Sequence, residues 1–201
     1  MSQLLSVVFK PIVFILCLSP LAALAWGFYY NELGANPFEV LTRDTGEWTL
    51  RFLLLTLFMT PLKRLTASAW PLRFRRMLGL FAFFYVCVHL LTYIWLDHFF
   101  DWEEIFTDIL KRPYITFGML AFILLIPLAL TSNKYMIKRL GKRWKSLHKL
   151  VYLIAVLGLL HFILLVKADL KEPIFYFILL LALFVMRSKW FISRQWRINP
   201  P

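Results

Sequence analysis

The sequence predicts an all-α integral membrane protein, a bundle of six transmembrane helices with both termini in the cytoplasm. Three observations predict it: 61% of the 201 residues are hydrophobic, only 17% are charged, and the charged residues cluster between long apolar stretches. A soluble domain carries more charge on its surface, about 25% of residues on average. A chain embedded in a bilayer instead needs apolar stretches of about 20 residues. The composition therefore argues against a soluble enzyme.

Six apolar stretches supply the predicted helices, since backbone groups in lipid must hydrogen-bond within their own segment. The first contains Ala23-Leu24-Ala25, a triplet typical of leader cleavage sites. It continues to Tyr30, so we interpret it as a retained helix, with cleavage as the alternative. The second and sixth stretches are short, and Trp48 and Trp190, which suit a membrane interface, extend them. The spans, which form one domain over 1–201, are approximately 11–30, 48–62, 77–96, 113–131, 150–166 and 173–187.

The connections between these stretches alternate in charge. Connections 31–47 and 97–112 hold most of the acidic residues, whereas 63–76 and 132–149 hold Lys and Arg and no acid. Cytoplasmic connections of membrane proteins are enriched in Lys and Arg. We therefore expect 63–76, 132–149 and the basic C-terminal tail in the cytoplasm, and six spans place the N-terminus there too. This distribution accounts for the net charge of +12 without nucleic-acid binding.

Two of the four histidines lie deep within predicted spans. His89 and His161 are on helices that run in the same direction, and a rise of 1.5 Å per residue places both roughly 16–18 Å from the cytoplasmic end. Ionisable side chains are costly in a bilayer and are functional candidates. A single one is usually a hydrogen-bonded core residue, but two at matched depth favour a shared metal or haem iron with imidazole ligands. His98, beside Asp97 in an acidic connection, is interpreted as an ordinary surface histidine.

A second site is suggested by His148, at the cytoplasmic start of the fifth helix and about 20 Å along the axis from His161. In a regular helix the two rings would point about 140° apart, so the site needs a helix irregularity or a His148 that precedes the regular helix. Arg75 lies at the same depth on the third helix and would neutralise a propionate or phosphate. The alternative is that both residues only line a basic connection. No residue is assigned a catalytic role, and Cys17 and Cys87 are interpreted as small buried hydrophobic residues.

Short motifs along the chain, in this order and spacing, resemble one family. They are Gly34-Ala35-Asn36-Pro37, Thr60-Pro61-Leu62, Arg75-Arg76-Met77-Leu78-Gly79, Lys111-Arg112-Pro113-Tyr114-Ile115-Thr116, Thr131-Ser132, Leu140-Gly141-Lys142-Arg143-Trp144 and Leu147-His148-Lys149-Leu150-Val151-Tyr152. Together they resemble the MsrQ family, the haem-binding membrane subunits of bacterial methionine sulfoxide reductase systems, within the ferric-reductase-like transmembrane proteins. The resemblance extends from about Gly34 to Arg187.

The resemblance implies one or two b-type haems, with His89 and His161 as paired iron ligands and His148 as a third ligand. It implies an electron-transfer subunit of the bacterial inner membrane that has no sulfoxide site of its own. Electrons would come from a cytoplasmic flavin reductase or a quinol and pass to a periplasmic molybdenum enzyme of the MsrP type, which repairs oxidised envelope proteins. FMN binding rests on the resemblance alone. The chain has no GxGxxG motif and ends soon after the sixth stretch, so we expect a separate electron donor.

Two other classes of function are considered beside electron transfer. A small permease or proton/ion carrier would use the buried histidines as proton sites, and a purely structural membrane anchor would need no site at all. Transporters often show inverted repeats and interrupted helices, and the sequence shows no evident internal repeat. Colour separates the classes, because a purified haem protein absorbs visible light and a permease does not.

Overall fold

The computed structural model describes residues 2–166 and 169–188, and it is built from helices joined by short connections. A π-helical turn, Tyr93–Asp97, continues the third helix. The helices are α1 (Ser2–Tyr29), α2 (Pro37–Leu65), α3 (Leu72–Thr92), α4 (Trp102–Lys111), α5 (Pro113–Leu130), α6 (Lys134–Leu140), α7 (Lys142–Leu147), α8 (Leu150–Leu165) and α9 (Lys171–Arg187). Six of them, α1, α2, α3, α5, α8 and α9, coincide with the six predicted stretches, so the all-helical prediction is confirmed.

Local sequence sets where these helices begin. The side chain of Asn36 accepts a hydrogen bond from the backbone N–H of Glu39, and Pro37 occupies the first position of α2, both favourable at a helix N-terminus. The prediction that 31–47 is a loop was therefore wrong over its second half. Helices α4, α6 and α7 lie within the predicted connections and were not anticipated.

Within residues 2–166 and 169–188, four helical segments are long and apolar enough to cross a bilayer: Phe9–Tyr29, Leu72–Asp97, Pro113–Leu130 and Lys142–Leu165. The side chains on the outside of the bundle are largely apolar and exposed, as lipid contact requires. The chain is thus a membrane protein. Crossing by α2 and α9, and with it the count of six, stays a prediction. Trp190 and the basic tail, with Lys189, Arg194 and Arg197, lie outside the described residues.

Two antiparallel helix pairs form the centre of the bundle. α2 lies along α3, α5 lies along α8, and the buried core joins both pairs. Ala82 of α3 and Ala155 of α8 have no exposed surface, and small side chains let helices approach closely. The two pairs contact each other through α2 with α8 and through α3 with α5, so α3 and α8 lie diagonally across the centre of the bundle.

A tyrosine hydroxyl joins α1 to this core. Tyr85 of α3 accepts a hydrogen bond from the N–H of Leu21 at 3.1 Å and donates one to the carbonyl of Cys17 at 2.9 Å. In an uninterrupted helix those two backbone groups would bond to each other, and Pro20 lies in the same turn. The helix continues through Ala23-Leu24-Ala25 with Leu24 buried, and the retention of α1 stays a prediction.

Candidate functional site

The rings of His89 and His161 meet in the middle of the bundle. Their centroids are 6.0 Å apart and their planes are inclined at 78°, so the close approach predicted from their matched depth is confirmed. Both rings line a cavity of about 440 Å³, which we call the histidine-pair cavity. Its size falls within the range of about 300–1,000 Å³ that is usual for small-molecule sites.

Each ring is held by a backbone carbonyl. Nδ1 of His89 lies 2.8 Å from the carbonyl oxygen of Thr42, and Nδ1 of His161 lies 2.6 Å from that of Tyr114. A carbonyl only accepts hydrogen bonds, so in each ring Nδ1 carries the proton and Nε2 keeps a free lone pair. Within the described residues neither Nε2 has a hydrogen-bond partner. Metal-binding histidines typically have this tautomer, with the second nitrogen bonded to a carbonyl or carboxylate.

A glycine on the facing helix lies directly against each ring. A Cβ added at Gly46 would lie 3.0 Å from Cε1 and Nδ1 of His89, and one added at Gly118 would lie 2.8 Å from Nδ1 of His161. A larger residue at either position would require the ring or the helix to shift. The two glycines are therefore part of the site, and they were not identified from the sequence.

The two helix pairs carry the same unit. In each, a carbonyl lies 47 residues before the histidine that it binds, at Thr42 and Tyr114, and the glycine follows the carbonyl by one helical turn, at Gly46 and Gly118. The interpretation that the chain has no internal repeat was wrong for this unit of carbonyl, glycine and histidine. The equal Gly-to-His spacing was the signal available in the sequence, but it is too sparse to stand out.

The spacing of the rings suits one metal ion between them. An imidazole nitrogen binds a transition metal at about 2 Å, and with about 1 Å more to each ring centroid the rings would be about 6 Å apart. Neutral imidazoles are common axial ligands of haem iron. The remaining wall is mostly apolar, formed by Leu50, Leu53, Val86, Leu90, Ile115, Met119, Phe122, Phe162 and Leu165. The donor set and the wall fit a haem.

His98 lies at the rim of this cavity and is not a surface residue, which corrects the sequence interpretation. Its side chain is only 9% exposed, with Nε2 3.6 Å from Asp108 and Nδ1 3.5 Å from Glu104. It is buried because α4 folds back over it, a helix the sequence did not reveal. Nδ1 of His98 and the hydroxyl of Tyr93 are buried without a hydrogen-bond partner in the described part of the chain. Both residues line the cavity, so polar groups are available at its rim.

Two guanidinium groups complete the rim. Arg43 pairs with Glu47 at 3.2 Å and with Glu172 at 3.0 Å, and Arg112 pairs with Asp108 at 3.1 Å. The hydrogen bond with Glu47 raises the pKa of Arg43, and the hydrogen bond to Tyr114 raises the pKa of Arg112. Both therefore stay charged at every physiological pH. The rim therefore combines two cations and their carboxylate partners with unsatisfied polar groups, and Glu47 and Asp97 line the cavity as well.

A second cavity of about 280 Å³, which we call the His148 cavity, is lined by His148, Arg75, Arg76 and Trp144. His148 follows α7 and precedes the start of α8, so it meets the condition that it lie before the regular helix. Arg75, predicted to share its depth, lines the same cavity and makes no hydrogen bond or ion pair within the described residues. The structure thus brings Arg75 and His148 to one cavity.

The ring of His148 is bonded differently from those of the other two histidines. It stacks on Trp144 with a centroid distance of 3.9 Å, and its Nε2 lies 3.1 Å from Oγ1 of Thr131. That hydroxyl donates to the carbonyl of Pro127 at 2.6 Å, so it accepts from Nε2–H of His148. The free nitrogen of His148 is therefore Nδ1. A metal at this site would bind Nδ1, or the bond to Thr131 would have to break.

Comparison with known proteins places the chain among membrane redox subunits. Residues 45–159 match the family described as "Ferric reductase like transmembrane component". The chain is 51% identical over 193 residues to "Protein-methionine-sulfoxide reductase heme-binding subunit MsrQ" of Herminiimonas arsenicoxydans, covering 94% of this chain and 88% of that protein. The proteins with the same name are 58% identical over 165 residues in Rhodospirillum rubrum, with 82% and 79% covered, and 52% identical over 177 residues in Caulobacter vibrioides, with 88% and 84% covered.

Proposed function

The chain belongs to the ferric reductase like transmembrane family, among its MsrQ subunits, and from this we propose that it holds a b-type haem between His89 and His161 and carries electrons across the membrane. One observation supports this most directly. The two rings lie 6.0 Å apart, and both Nδ1 atoms are bonded to carbonyls, so both Nε2 lone pairs are free for iron.

The chain's own residues would prepare this site. Haem, when bound, supplies a one-electron redox centre whose behaviour depends on its ligands and their hydrogen bonds. The carbonyls of Thr42 and Tyr114 fix the ring orientations and increase the basicity of the free nitrogens. Arg43 and Arg112 at the rim would hold the propionates. The apolar part of the wall would limit the access of water, which reduces reorganisation when the charge of the site changes.

A proton or ion carrier is less well supported by this geometry. A histidine that relays protons must exchange them with neighbours or water, whereas here each Nδ1 proton is fixed on a backbone carbonyl. The two free nitrogens belong to adjacent rings, an arrangement that serves a shared ligand.

The distribution of Lys and Arg gives the proposed direction of electron flow. With 63–76, 132–149 and both termini in the cytoplasm and six spans, the histidine-pair cavity lies toward the periplasm of the bacterial inner membrane. The donor would be a cytoplasmic flavin reductase or a quinol. The acceptor would be a periplasmic molybdenum enzyme of the MsrP type that reduces methionine sulfoxide, so the chain needs no sulfoxide site itself.

The His148 cavity would then be the electron entry site. It would hold a second redox cofactor, either a haem bound by His148 or a flavin such as FMN, with Arg75 neutralising a propionate or phosphate. Leu53 lines both cavities, so its side chain would lie between the two proposed cofactors.

The function is tested by the visible spectrum and haem content of the purified full-length protein. The wild type is expected to contain haem with a low-spin bis-histidine spectrum. His89→Ala and His161→Ala should each abolish that component, because each removes an axial ligand. His98→Gln is the matched control, since His98 lines the same cavity and is not assigned to iron. A colourless wild-type protein, or bleaching by His98→Gln and not by His161→Ala, would refute the assignment.

A further inference from the structure

Helix α4 distributes its residues over three faces. Ile105 and Asp108 are buried against the bundle, at 4% and 6% exposure, whereas Trp102, Phe106 and Leu110 are 56%, 64% and 85% exposed. At about 100° per residue, the three exposed apolar residues fall within about 80° of the helix circumference. They form one continuous apolar stripe beside the buried face, which we call the α4 stripe.

The third face of α4 is polar. Glu103 and Lys111 are exposed and Thr107 is partly exposed, and at about 100° per residue they lie on the side of the stripe that is turned away from the buried face. Helix α4 thus has one face buried against the bundle, one exposed apolar face and one polar face. These three faces suit contact with protein, lipid and water, respectively. A helix surrounded by water on its free side would gain nothing from an apolar stripe.

Both ends of α4 are tied to candidate membrane spans. The π-helical turn that ends the Leu72–Asp97 span precedes it by a few residues, and the Pro113–Leu130 span follows Lys111 almost directly. The helix is therefore fixed where two spans leave the bilayer, and its length of about 15 Å runs between them. Aromatic residues are also enriched at this level of a membrane.

From this placement we propose that α4 is an interfacial helix, with the α4 stripe inserted at the boundary between lipid headgroups and acyl chains. Helices that lie in the membrane plane bury such an apolar face about 5–10 Å into this boundary. The proposal concerns lipid contact and does not depend on whether the chain binds haem.

Lipid contact at α4 has a consequence for the cavity rim. Asp108, on the buried face, pairs with Arg112 at 3.1 Å and lies 3.6 Å from Nε2 of His98. His98 and Arg112 both line the histidine-pair cavity. Lipid contact along the α4 stripe thus holds Asp108 in place against the rim.

The test compares labels on the stripe with a label on the polar face of the same helix. Phe106→Cys and Leu110→Cys are the stripe variants and Glu103→Cys is the matched control, each in the full-length chain with Cys17 and Cys87 replaced by Ala. Each protein is labelled with an environment-sensitive fluorophore and placed in phosphatidylcholine nanodiscs, with or without lipid carrying a nitroxide near the headgroup. Labels on the stripe should have blue-shifted emission and be quenched severalfold more strongly than the label at 103.

Two outcomes would overturn the proposal. One is equal quenching at 103 and 106. The other is a label at 106 that is not quenched in the nanodisc and shifts only when the periplasmic reductase is added, which would assign the stripe to a protein partner. A second measurement keeps both native cysteines: brominated lipid should quench the intrinsic fluorescence less in Trp102→Phe than in the wild type. Equal quenching there would also contradict lipid contact.

Discussion

The imidazole of His89 lies directly against Gly46, with room for a hydrogen atom and no room for a methyl group. A Cβ at Gly46 would be 3.0 Å from two ring atoms, and the ring cannot retreat without lengthening its 2.8 Å bond to the carbonyl of Thr42. Gly118 and His161 have the same relationship. Each glycine therefore limits where the ring of a proposed iron ligand can lie, and both glycines also line the histidine-pair cavity.

We expect Gly46→Ala and Gly118→Ala to rotate their histidines, which should change the low-spin EPR signal and the reduction potential and lower haem content. Gly118→Ala should have the larger effect, since its Cβ would be closer, at 2.8 Å. Gly158→Ala is the matched control, because Gly158 lines the same cavity and its Cβ would meet nothing within 4 Å. Wild-type EPR signals and potentials in both test variants would show that the glycines do not position the ligands.

The sequence predicts most of the fold because apolar stretches must be helical in lipid. The sequence also predicts that His89 and His161 lie close together, because the depth of a residue along parallel helices depends only on the rise per residue. Helix α4 was missed because it is short and four of its ten residues are charged. Its apolar stripe can be interpreted only once the helix is seen to lie between two membrane spans. The burial of His98 was missed for the same reason.

The tautomers of the histidines could not be predicted at all. They depend on which carbonyl or hydroxyl each ring meets, as with Thr131 at His148 and Tyr114 at His161. These contacts arise between different helices, and the packing angles that create them are not encoded in the periodicity of a single segment.

The proposed topology is tested by labelling single cysteines from one side of the membrane. In a chain with Cys17 and Cys87 replaced, Glu32→Cys and Glu103→Cys should react with an impermeant maleimide added to intact cells after outer-membrane permeabilisation. Lys142→Cys should react only after lysis, because the basic connections are expected in the cytoplasm. All three side chains are exposed, so access depends on sidedness. Labelling of Lys142→Cys in intact cells would contradict the topology.

Tyr85→Phe is expected to loosen the attachment of α1. The change removes the hydroxyl that bridges Leu21 and Cys17 and leaves their backbone groups without this partner, at a cost of about 1–3 kcal/mol. The measurement is thermal unfolding in detergent, together with protease sensitivity of α1. Tyr29→Phe is the control, because Tyr29 lies on α1 itself and is 78% exposed. It should change neither the unfolding temperature nor the protease sensitivity. Equal behaviour of the two variants would remove the hydroxyl bridge as a stabilising contact.

Acidic residues on the proposed periplasmic face should steer a basic patch of the partner reductase, since complementary charge speeds encounter. Glu103→Gln is the cleanest variant, because Glu104 also lies beside His98. In Glu103→Gln, electron transfer to the reductase should be slowed most at low ionic strength. At high salt, where charges are screened, its rate should approach that of the wild type. Glu32→Gln tests whether the first connection contributes as well. A rate that does not change with salt in any of these proteins would exclude steering.

The last prediction concerns electron entry at the His148 cavity. Arg75 is partly buried and lines this cavity without a hydrogen bond or ion pair in the described part of the chain, next to a histidine whose free nitrogen is Nδ1. If the pair holds a cofactor, Arg75→Ala and His148→Ala should each slow reduction by the cytoplasmic donor severalfold and lower cofactor content. The haem between His89 and His161 should stay bound and be reduced normally by dithionite, because its ligands are untouched.

Arg75→Lys should recover part of the rate by restoring charge without the bidentate geometry. Lys149→Ala removes a neighbouring, exposed charge and serves as the control for a general loss of positive potential. If Arg75→Ala and His148→Ala keep the wild-type rate and cofactor content, or if Lys149→Ala is as slow as they are, then the cavity is only part of a basic connection.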